Sequence, residues 1–210
     1  MEYFGKLSYE MFFQNSKDEI LRKLRQPRSG YGPIDQRIKA LCSEKGISYI
    51  LINWDAIRID NEIQKVEEHK HPNAYRLTMH HDNYAVTVKM IIPITENMVA
   101  LKYLRPMTVG NHIEIKLDEN VRCMTIEFKA SSRAATDKNH VQFTEDDERR
   151  TKESMKGIKN ALVERISAFN AAVDAFIDLL HQEYIDLEKS NQISNDKKNE
   201  INSRMKNFDD

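Results

Sequence analysis

The sequence predicts an α+β protein: an antiparallel β-meander of five to six strands, flanked by N-terminal helices, with a long C-terminal amphipathic helix. Apolar residues recur at helical spacing near both ends of the chain, and several segments between them alternate apolar and polar residues. The turn sequences between these segments, such as HDN, TEN and DEN, are short, and short connections join only antiparallel neighbours. We therefore predict an α+β globular domain at residues 1–143, a long helix for packing or assembly at residues 144–189 and a polar, frayed tail at residues 190–210.

Two helices are predicted before the sheet, at residues 8–26 and 34–45. In the first, Ser16 and Glu19 have the spacing of a capping box, and Pro27 follows the last apolar residue. The second helix follows Pro33, which suits a first helical position, and closes at Gly46, which suits a helix C-terminus. These residues predict the helix ends from local chemistry alone.

The sheet is predicted to occupy residues 47–130. Its first strand is the β-prone run SYILINW, and later alternating segments cover residues 74–81, 83–94, 98–105, 111–117 and 121–130. The segment DAIRIDNEIQKVEEHK follows the first strand and has Ile59, Ile63 and Val66 at helical spacing. We therefore predict an additional helix there.

The long C-terminal helix is predicted to open at Thr144 and to run to about Lys189. Its large apolar residues recur every three or four positions with a mean near 3.6, the period of a straight helix, whereas a two-stranded coiled coil requires 3.5. A helix of this length spans roughly 65 Å, while the preceding domain should be only about 35–40 Å across. The stripe should then need a partner surface, most economically a second copy of the chain, although a bent helix covered by its own domain is the alternative. The predicted assembly residues are Ile166, Phe169, Val173, Phe176, Leu180, Tyr184 and Leu187.

Glu127 and Lys129 are an acid and a base two positions apart on the predicted strand 121–130. A strand carrying Glu-x-Lys is similar to the third strand of the restriction-endonuclease-like nucleases, in which this pair and an earlier Asp bind a divalent ion and orient the attacking water. The resemblance implies a metal-dependent nuclease that uses Glu127 and Lys129. The hairpin, however, is predicted to place Gly110, Asn111 or His112 opposite Glu127, and none of these is acidic.

The alternative for the same strand is a sheet face without catalysis. Residues alternate along the strand, so that one row should be buried and the other exposed. The predicted buried row is Arg122, Met124, Ile126 and Phe128, and the predicted exposed row is Cys123, Thr125, Glu127 and Lys129. This pattern accounts for both charged residues as a solvated face.

Two further segments carry residue types that bind ligands. Histidines cluster in HKHPNAYRLTMHH, where His69, His71 and His81 could ligate a transition metal, although no helical His pair or Cys pair accompanies them. The segment RKLRQPRSGYG could bind nucleic acid or a phosphate ligand through its basic residues and its aromatic ring. The residues of this basic turn are Arg22, Lys23, Arg25, Arg28 and Tyr31.

The composition favours a cytoplasmic protein that acts without a cofactor. The formal net charge is −1, so a nucleic acid or a membrane surface could be held only by a local patch. The two cysteines cannot form a disulfide framework, and no signal-peptide pattern or apolar membrane span is found. There is no Gly-rich phosphate loop and no nucleophile elbow. We therefore favour a non-enzymatic interaction or assembly subunit, with the nuclease-like enzyme and the ligand-binding module as alternatives.

Overall fold

The computed structural model of the protein describes residues 8–26, 32–66, 82–104, 113–135 and 138–206. It confirms the predicted α+β fold, with N-terminal helices, an antiparallel sheet of five strands and a long C-terminal helix. The helices are α1 (Tyr9–Leu24), α2 (Ile34–Glu44) and α3 (Glu145–Lys206). The strands are β1 (Leu51–Ile52), β2 (Arg58–Val66), β3 (Asp82–Glu96), β4 (Ile113–Asp118) and β5 (Cys123–Ala135).

All strand pairs are antiparallel, and the long strand β3 is central to the sheet. Both β1 and β2 pair with one edge of β3, while β5 pairs with its other edge and β4 pairs with the free edge of β5. If strands paired in chain order, β4 would lie beside β3. In this sheet β5 lies between β3 and β4. One face of the sheet is apolar because alternate residues of β3 and β5 are buried, among them Val88, Met90, Ile92, Met124, Ile126 and Phe128.

The helix predicted after the first strand is wrong, because residues 58–66 form strand β2. Its apolar residues fit both patterns, because Ile59 and Ile63 are four apart and also alternate with polar neighbours. In the sheet, Ile59 lies opposite Met90 and Ile63 lies opposite Val86. The edge of β3 offers hydrogen-bond partners to residues 58–66, and this pairing stabilises the strand rather than a helix.

The predicted strand 98–105 is also wrong, because Met98–Tyr103 form a 3-10 helix. Asn97 precedes it in the left-handed conformation, with φ of 49°, and turns the chain out of β3. Met98, Leu101 and Leu104 are buried at a spacing of three, which is the period of a 3-10 helix. The predicted strand 74–81 lies outside the described residues.

The ends of the helices show which capping signals operate. Ser8 caps α1, whereas Ser16 lies inside that helix and donates its hydroxyl hydrogen bond to the Phe12 carbonyl oxygen at 2.9 Å, so the predicted capping box is wrong. Gly46 follows α2 with φ of 74°, as a helix-terminating glycine should. At the start of α3, the Thr144 hydroxyl accepts from the Asp147 amide at 3.2 Å, and the Asp147 carboxylate accepts from the Thr144 amide at 3.0 Å.

The described residues form two compact units, and α3 contributes to both. The first unit contains residues 50–168 and therefore the whole sheet, together with the N-terminal part of α3. The second contains residues 8–49 and 169–206, so α1 and α2 group with the C-terminal part of α3, whereas the sequence analysis grouped them with the sheet.

In the first unit, the N-terminal part of α3 buries Ile158, Leu162 and Ile166. The ammonium group of Lys159 lies 5.6 Å from the centre of the Trp54 ring, which places this part of α3 beside the short 3-10 helix Trp54–Ala56 that precedes β2. The apolar stripe of the helix is therefore already used for packing in this unit.

In the second unit, α1 and α3 pack through an aromatic cluster. The Phe169 ring lies 5.7 Å from the Tyr9 ring and 5.8 Å from the Phe13 ring, and the Phe176 ring lies 5.0 Å from the Phe13 ring. Because later residues of α1 approach later residues of α3, these two helices run in the same direction. Further along, Lys17 Nζ binds Glu183 Oε1 at 2.8 Å.

Helix α2 runs against the other two helices of this unit. Its first turn lies near the C-terminal side of the cluster, where Asp35 Oδ1 is 3.5 Å from His181 Nε2. The residue Tyr49, which follows α2, donates a hydrogen bond to the Asp174 carboxylate, one helical turn or more towards the N-terminus of α3. This hydrogen bond raises the pKa of Tyr49.

Candidate functional site

Glu127 lies on the polar face of the sheet between two lysines from the neighbouring strands. Its Oε1 is 3.8 Å from Lys89 Nζ on β3, and its Oε2 is 3.3 Å from Lys116 Nζ on β4. Lys89 Nζ is also 2.7 Å from Glu62 Oε2 on β2. The hydrogen bond between them raises the pKa of Lys89 and lowers the pKa of Glu62. We call these four residues the charge ladder, because acid and base alternate across four strands.

The charge ladder includes Glu127, the predicted metal-binding residue of the nuclease-like alternative. Both carboxylate oxygens of Glu127 face ammonium groups, and Lys129 is exposed one pleat further along the strand. The register places Glu114 opposite Glu127, which corrects the prediction that Gly110, Asn111 or His112 would lie there. Even so, the described residues contain no group of three His, Cys, Asp or Glu side chains that could hold a metal ion. Cross-strand ion pairing accounts for the position of Glu127 in the described part of the chain.

The buried row predicted for β5 is found with one exception, whereas in the predicted exposed row only Lys129 is exposed and Cys123, Thr125 and Glu127 are half-buried. Met124, Ile126 and Phe128 are buried, as predicted. Arg122 is exposed instead, because it lies in the turn before the strand with φ of 50° and its guanidinium donates to the Thr95 carbonyl oxygen. The turn is also held by Asp118, whose carboxylate accepts from the Asn120 amide at 2.9 Å.

The basic turn is described only in part. Arg22 and Arg25 are exposed at the end of α1, and Lys23 Nζ lies 3.2 Å from Glu44 Oε2 at the end of α2. Lys23 therefore joins two helices of the second unit. Arg28 and Tyr31 lie outside the described residues, as do the histidines His69, His71 and His81 that the sequence suggested as metal ligands.

Cys42 is a buried residue of α2. Burial raises the pKa of its thiol to about 12. At neutral pH the thiol therefore stays protonated, which suits a small apolar core residue rather than a nucleophile.

Most of the predicted assembly stripe is covered by the chain itself. Five of its seven residues, namely Ile166, Phe169, Val173, Phe176 and Leu180, are buried. Tyr184 and Leu187 remain partly exposed. The exposed part of the stripe on α3 therefore begins beyond Leu180.

Helix α3 continues well beyond the predicted end at residue 189. Residues 190–206, which were predicted as part of a frayed tail, are helical. We call residues 184–206 the C-terminal segment. Every residue from Glu188 to Met205 is exposed, and three large apolar side chains are among them: Ile193 at 57%, Ile201 at 56% and Met205 at 69%. Within the segment, Arg204 Nη2 binds Glu200 Oε1 at 2.5 Å, one helical turn away.

Among the described residues, no helix is both long enough and apolar enough to cross a membrane. Comparison of the chain with protein-family profiles, with curated proteins and with solved structures finds no match.

Proposed function

We propose that the protein is a non-enzymatic interaction subunit that binds another protein through the C-terminal segment of α3. The observation that carries this proposal is the continuation of α3 to Lys206 with large apolar side chains exposed. The proposal keeps the predicted role of α3 in assembly and moves the surface from the buried part of the stripe to the exposed part.

The physical reason is the difference in what stabilises the two parts of the helix. Short isolated helices are marginal in water, and most helical stability in proteins comes from packing of an apolar face. The C-terminal segment has exposed intrahelical pairs such as Glu200 with Arg204, which contribute about 0.2–0.5 kcal/mol each. A second helix on the same face would add the packing that the segment otherwise lacks.

The composition of the segment fits recognition by a helix or a groove. Its stripe mixes apolar residues with Asn191, Ser194 and Lys198, so a fully apolar groove would leave polar groups without partners. A partner with its own polar positions on one face would match better. The proposal therefore favours an amphipathic helix as the structure that binds.

Site-specific photo-crosslinking tests this proposal. A photoreactive amino acid placed at Ile201 lies on the stripe, and the same amino acid at Ser203 lies two residues along the chain on the outward face, which makes it a matched control. In cells that express the full chain, we expect a covalent protein adduct of defined mass from Ile201 and none from Ser203. The protein in the adduct is identified by mass spectrometry.

The absence of an adduct from Ile201, or equal labelling from both positions, would overturn the proposed function. Because Ile201 and Ser203 are both exposed helical positions, misfolding cannot account for a difference between them. Circular dichroism of the two variants, with the wild-type signal expected from both, checks that the helix is intact.

A further inference from the structure

We infer that the partner of the C-terminal segment is a second copy of this chain, bound in antiparallel orientation with Asn191 of each copy opposite the partner subunit's Ser194. This inference rests on the proposed function and goes further by naming the partner and its register. Three properties of the segment carry it: the spacing of its apolar residues, the identity of its polar residues and the distribution of its charges.

Four apolar residues of the segment, Tyr184, Leu187, Ile201 and Met205, follow a heptad repeat, whereas Ile185 and Ile193 lie outside it. Leu180 and Leu187 are one heptad apart, Leu187 and Ile201 are two, and Tyr184 and Met205 are three. This differs from the buried stripe further towards the N-terminus, where the mean step is near 3.6. A seven-residue repeat keeps two alternating positions against a second helix, and Leu187 and Ile201 occupy one of these positions while Tyr184 and Met205 occupy the other.

The polar residues at the same two positions decide between the possible orientations. Asn191 and Lys198 share the position of Tyr184, and Ser194 shares that of Leu187. In a parallel pair, each residue meets its own copy, so Lys198 would meet Lys198 of the partner subunit, and like charges facing each other oppose association. In an antiparallel pair centred between Gln192 and Ile193, Asn191 meets Ser194 and Lys198 meets Leu187.

These antiparallel contacts suit the side chains concerned. The amide of Asn191 can donate to the hydroxyl of the partner subunit's Ser194 and can accept from it, so both buried polar groups are satisfied. The methylene stem of Lys198 can cover Leu187 while its ammonium group stays in water. The same register also places Tyr184 against the partner subunit's Ile201.

The charges of the segment are complementary only in the antiparallel orientation. Residues 184–190 carry two acidic side chains and one basic one, whereas residues 196–206 carry four basic and two acidic ones. A parallel pair would bring the two acidic ends together and the two basic ends together. An antiparallel pair brings the acidic end of each copy to the basic end of the other, which favours association and sets its direction.

The same residues also limit how tightly the two copies bind. Polar residues at core positions of a coiled coil fix the register at a cost in stability. Asn191, Ser194 and Lys198 occupy three consecutive core positions of the segment. We therefore expect a reversible dimer that dissociates on dilution rather than a permanent one.

Disulfide trapping of the full chain tests both the partner and the register. In a Cys123→Ser background, Leu187→Cys and Lys198→Cys are made as separate single variants, with the buried Cys42 left in place. In the proposed register the two new cysteines of different copies are at the same level, whereas identical residues are displaced along the axis by about 16 Å, at about 1.5 Å for each residue. A disulfide requires Cα atoms within roughly 7 Å of each other.

We expect a covalent dimer with one copy of each variant when the two proteins are mixed and oxidised, and no covalent dimer from either variant alone. A mixture of Leu187→Cys with Ser203→Cys is the matched control and should stay uncrosslinked. Sedimentation of the wild-type chain should show a dimer at high concentration that shifts towards monomer on dilution.

A covalent dimer from Leu187→Cys alone would indicate a parallel pair and would overturn the inference. A wild-type chain that stays monomeric at every concentration would overturn it as well. In that second case, an adduct of Ile201 with a different protein would leave the proposed function standing, whereas the absence of any adduct would remove both.

Discussion

The two parts of helix α3 have the same secondary structure but opposite environments. From Ile158 to Leu180 the large residues of its stripe are buried, whereas from Glu188 to Met205 every residue is exposed. Beyond Leu180, Tyr184, Leu187, Ile201 and Met205 lie on the same side of the helix, with polar residues between Leu187 and Ile201. The difference teaches that an amphipathic pattern predicts a face that will be covered, but not what covers it.

The largest expected difference between the two parts concerns Phe169, which is fully buried against Tyr9 and Phe13. Phe169→Ala should lower the free energy of unfolding by about 3–5 kcal/mol, because it removes a buried ring and leaves a cavity. Urea denaturation followed by circular dichroism measures this. The control Ile201→Ala, on the exposed part, should change the value by less than about 0.5 kcal/mol in dilute monomer. Similar losses for both variants would contradict the comparison.

A matched pair of leucines sharpens the boundary between the two parts. Leu180 is fully buried, and Leu187, one heptad later, is partly exposed. Leu180→Ala should cost about 2–5 kcal/mol of folding free energy. Leu187→Ala should cost clearly less, about 1 kcal/mol, since its side chain is only partly removed from water. The same denaturation experiment at low protein concentration compares them, and a larger cost at Leu187 would place the boundary elsewhere.

Deletion of residues 190–210 should leave the rest of the fold intact. The helical circular dichroism signal should decrease, because residues 190–206 are helical. The free energy of unfolding of the dilute chain should change by less than about 0.5 kcal/mol, since the described residues removed are exposed. A shift of several times this size would mean that the segment packs on its own chain.

The smallest expected effect concerns the bridge between Lys17 and Glu183, at the boundary between the two parts. The hydrogen bond to Glu183 raises the pKa of Lys17 above its usual 10.5. A raised pKa means that the stabilisation is fully present below the usual value and is lost as the pH rises through the raised one.

The difference in unfolding free energy between wild type and Lys17→Met should therefore be constant near neutral pH and shrink above about pH 10.5. Tyr49 and Lys89 also have raised pKa values, but they titrate in both proteins and cancel in the difference. Glu183→Gln should reproduce the behaviour of Lys17→Met. A difference that grows with pH would contradict the assignment of the bridge.

Part of the fold and of the candidate sites could be predicted from the sequence because the signals are local. The N-terminus of α3 at Thr144 and the end of α2 at Gly46 depend on side chains within a few residues of the helix ends. Strand β5 was predicted from alternation, and its buried residues Met124, Ile126 and Phe128 follow from that pattern. The polar composition after Lys189 predicts a tail, but α3 continues to Lys206.

The candidate site depended on distant residues and was therefore less predictable. The neighbours of Glu127 are Lys89 and Lys116, and these are set by strand pairing and by the length of the hairpin turn. The observed register of β4 against β5 differs from the predicted one by a few residues, so Glu114 rather than Asn111 lies opposite Glu127. The burial of the stripe from Phe169 to Leu180 likewise depends on α1 and α2, which are far away in the chain.

The start of α3 at Thr144, the alternation along β5 and the apolar stripe of α3 could be predicted from the sequence, because capping residues and periodic spacing are properties of one continuous segment. Contacts between distant segments are needed to explain why residues 58–66 form a strand, why β5 lies between β3 and β4, and why the stripe is covered as far as Leu180. The reason is that hydrogen-bonding edges and covering faces are supplied by residues remote in sequence. A segment whose spacing fits both a helix and a strand therefore adopts the structure that packs best with the rest of the chain.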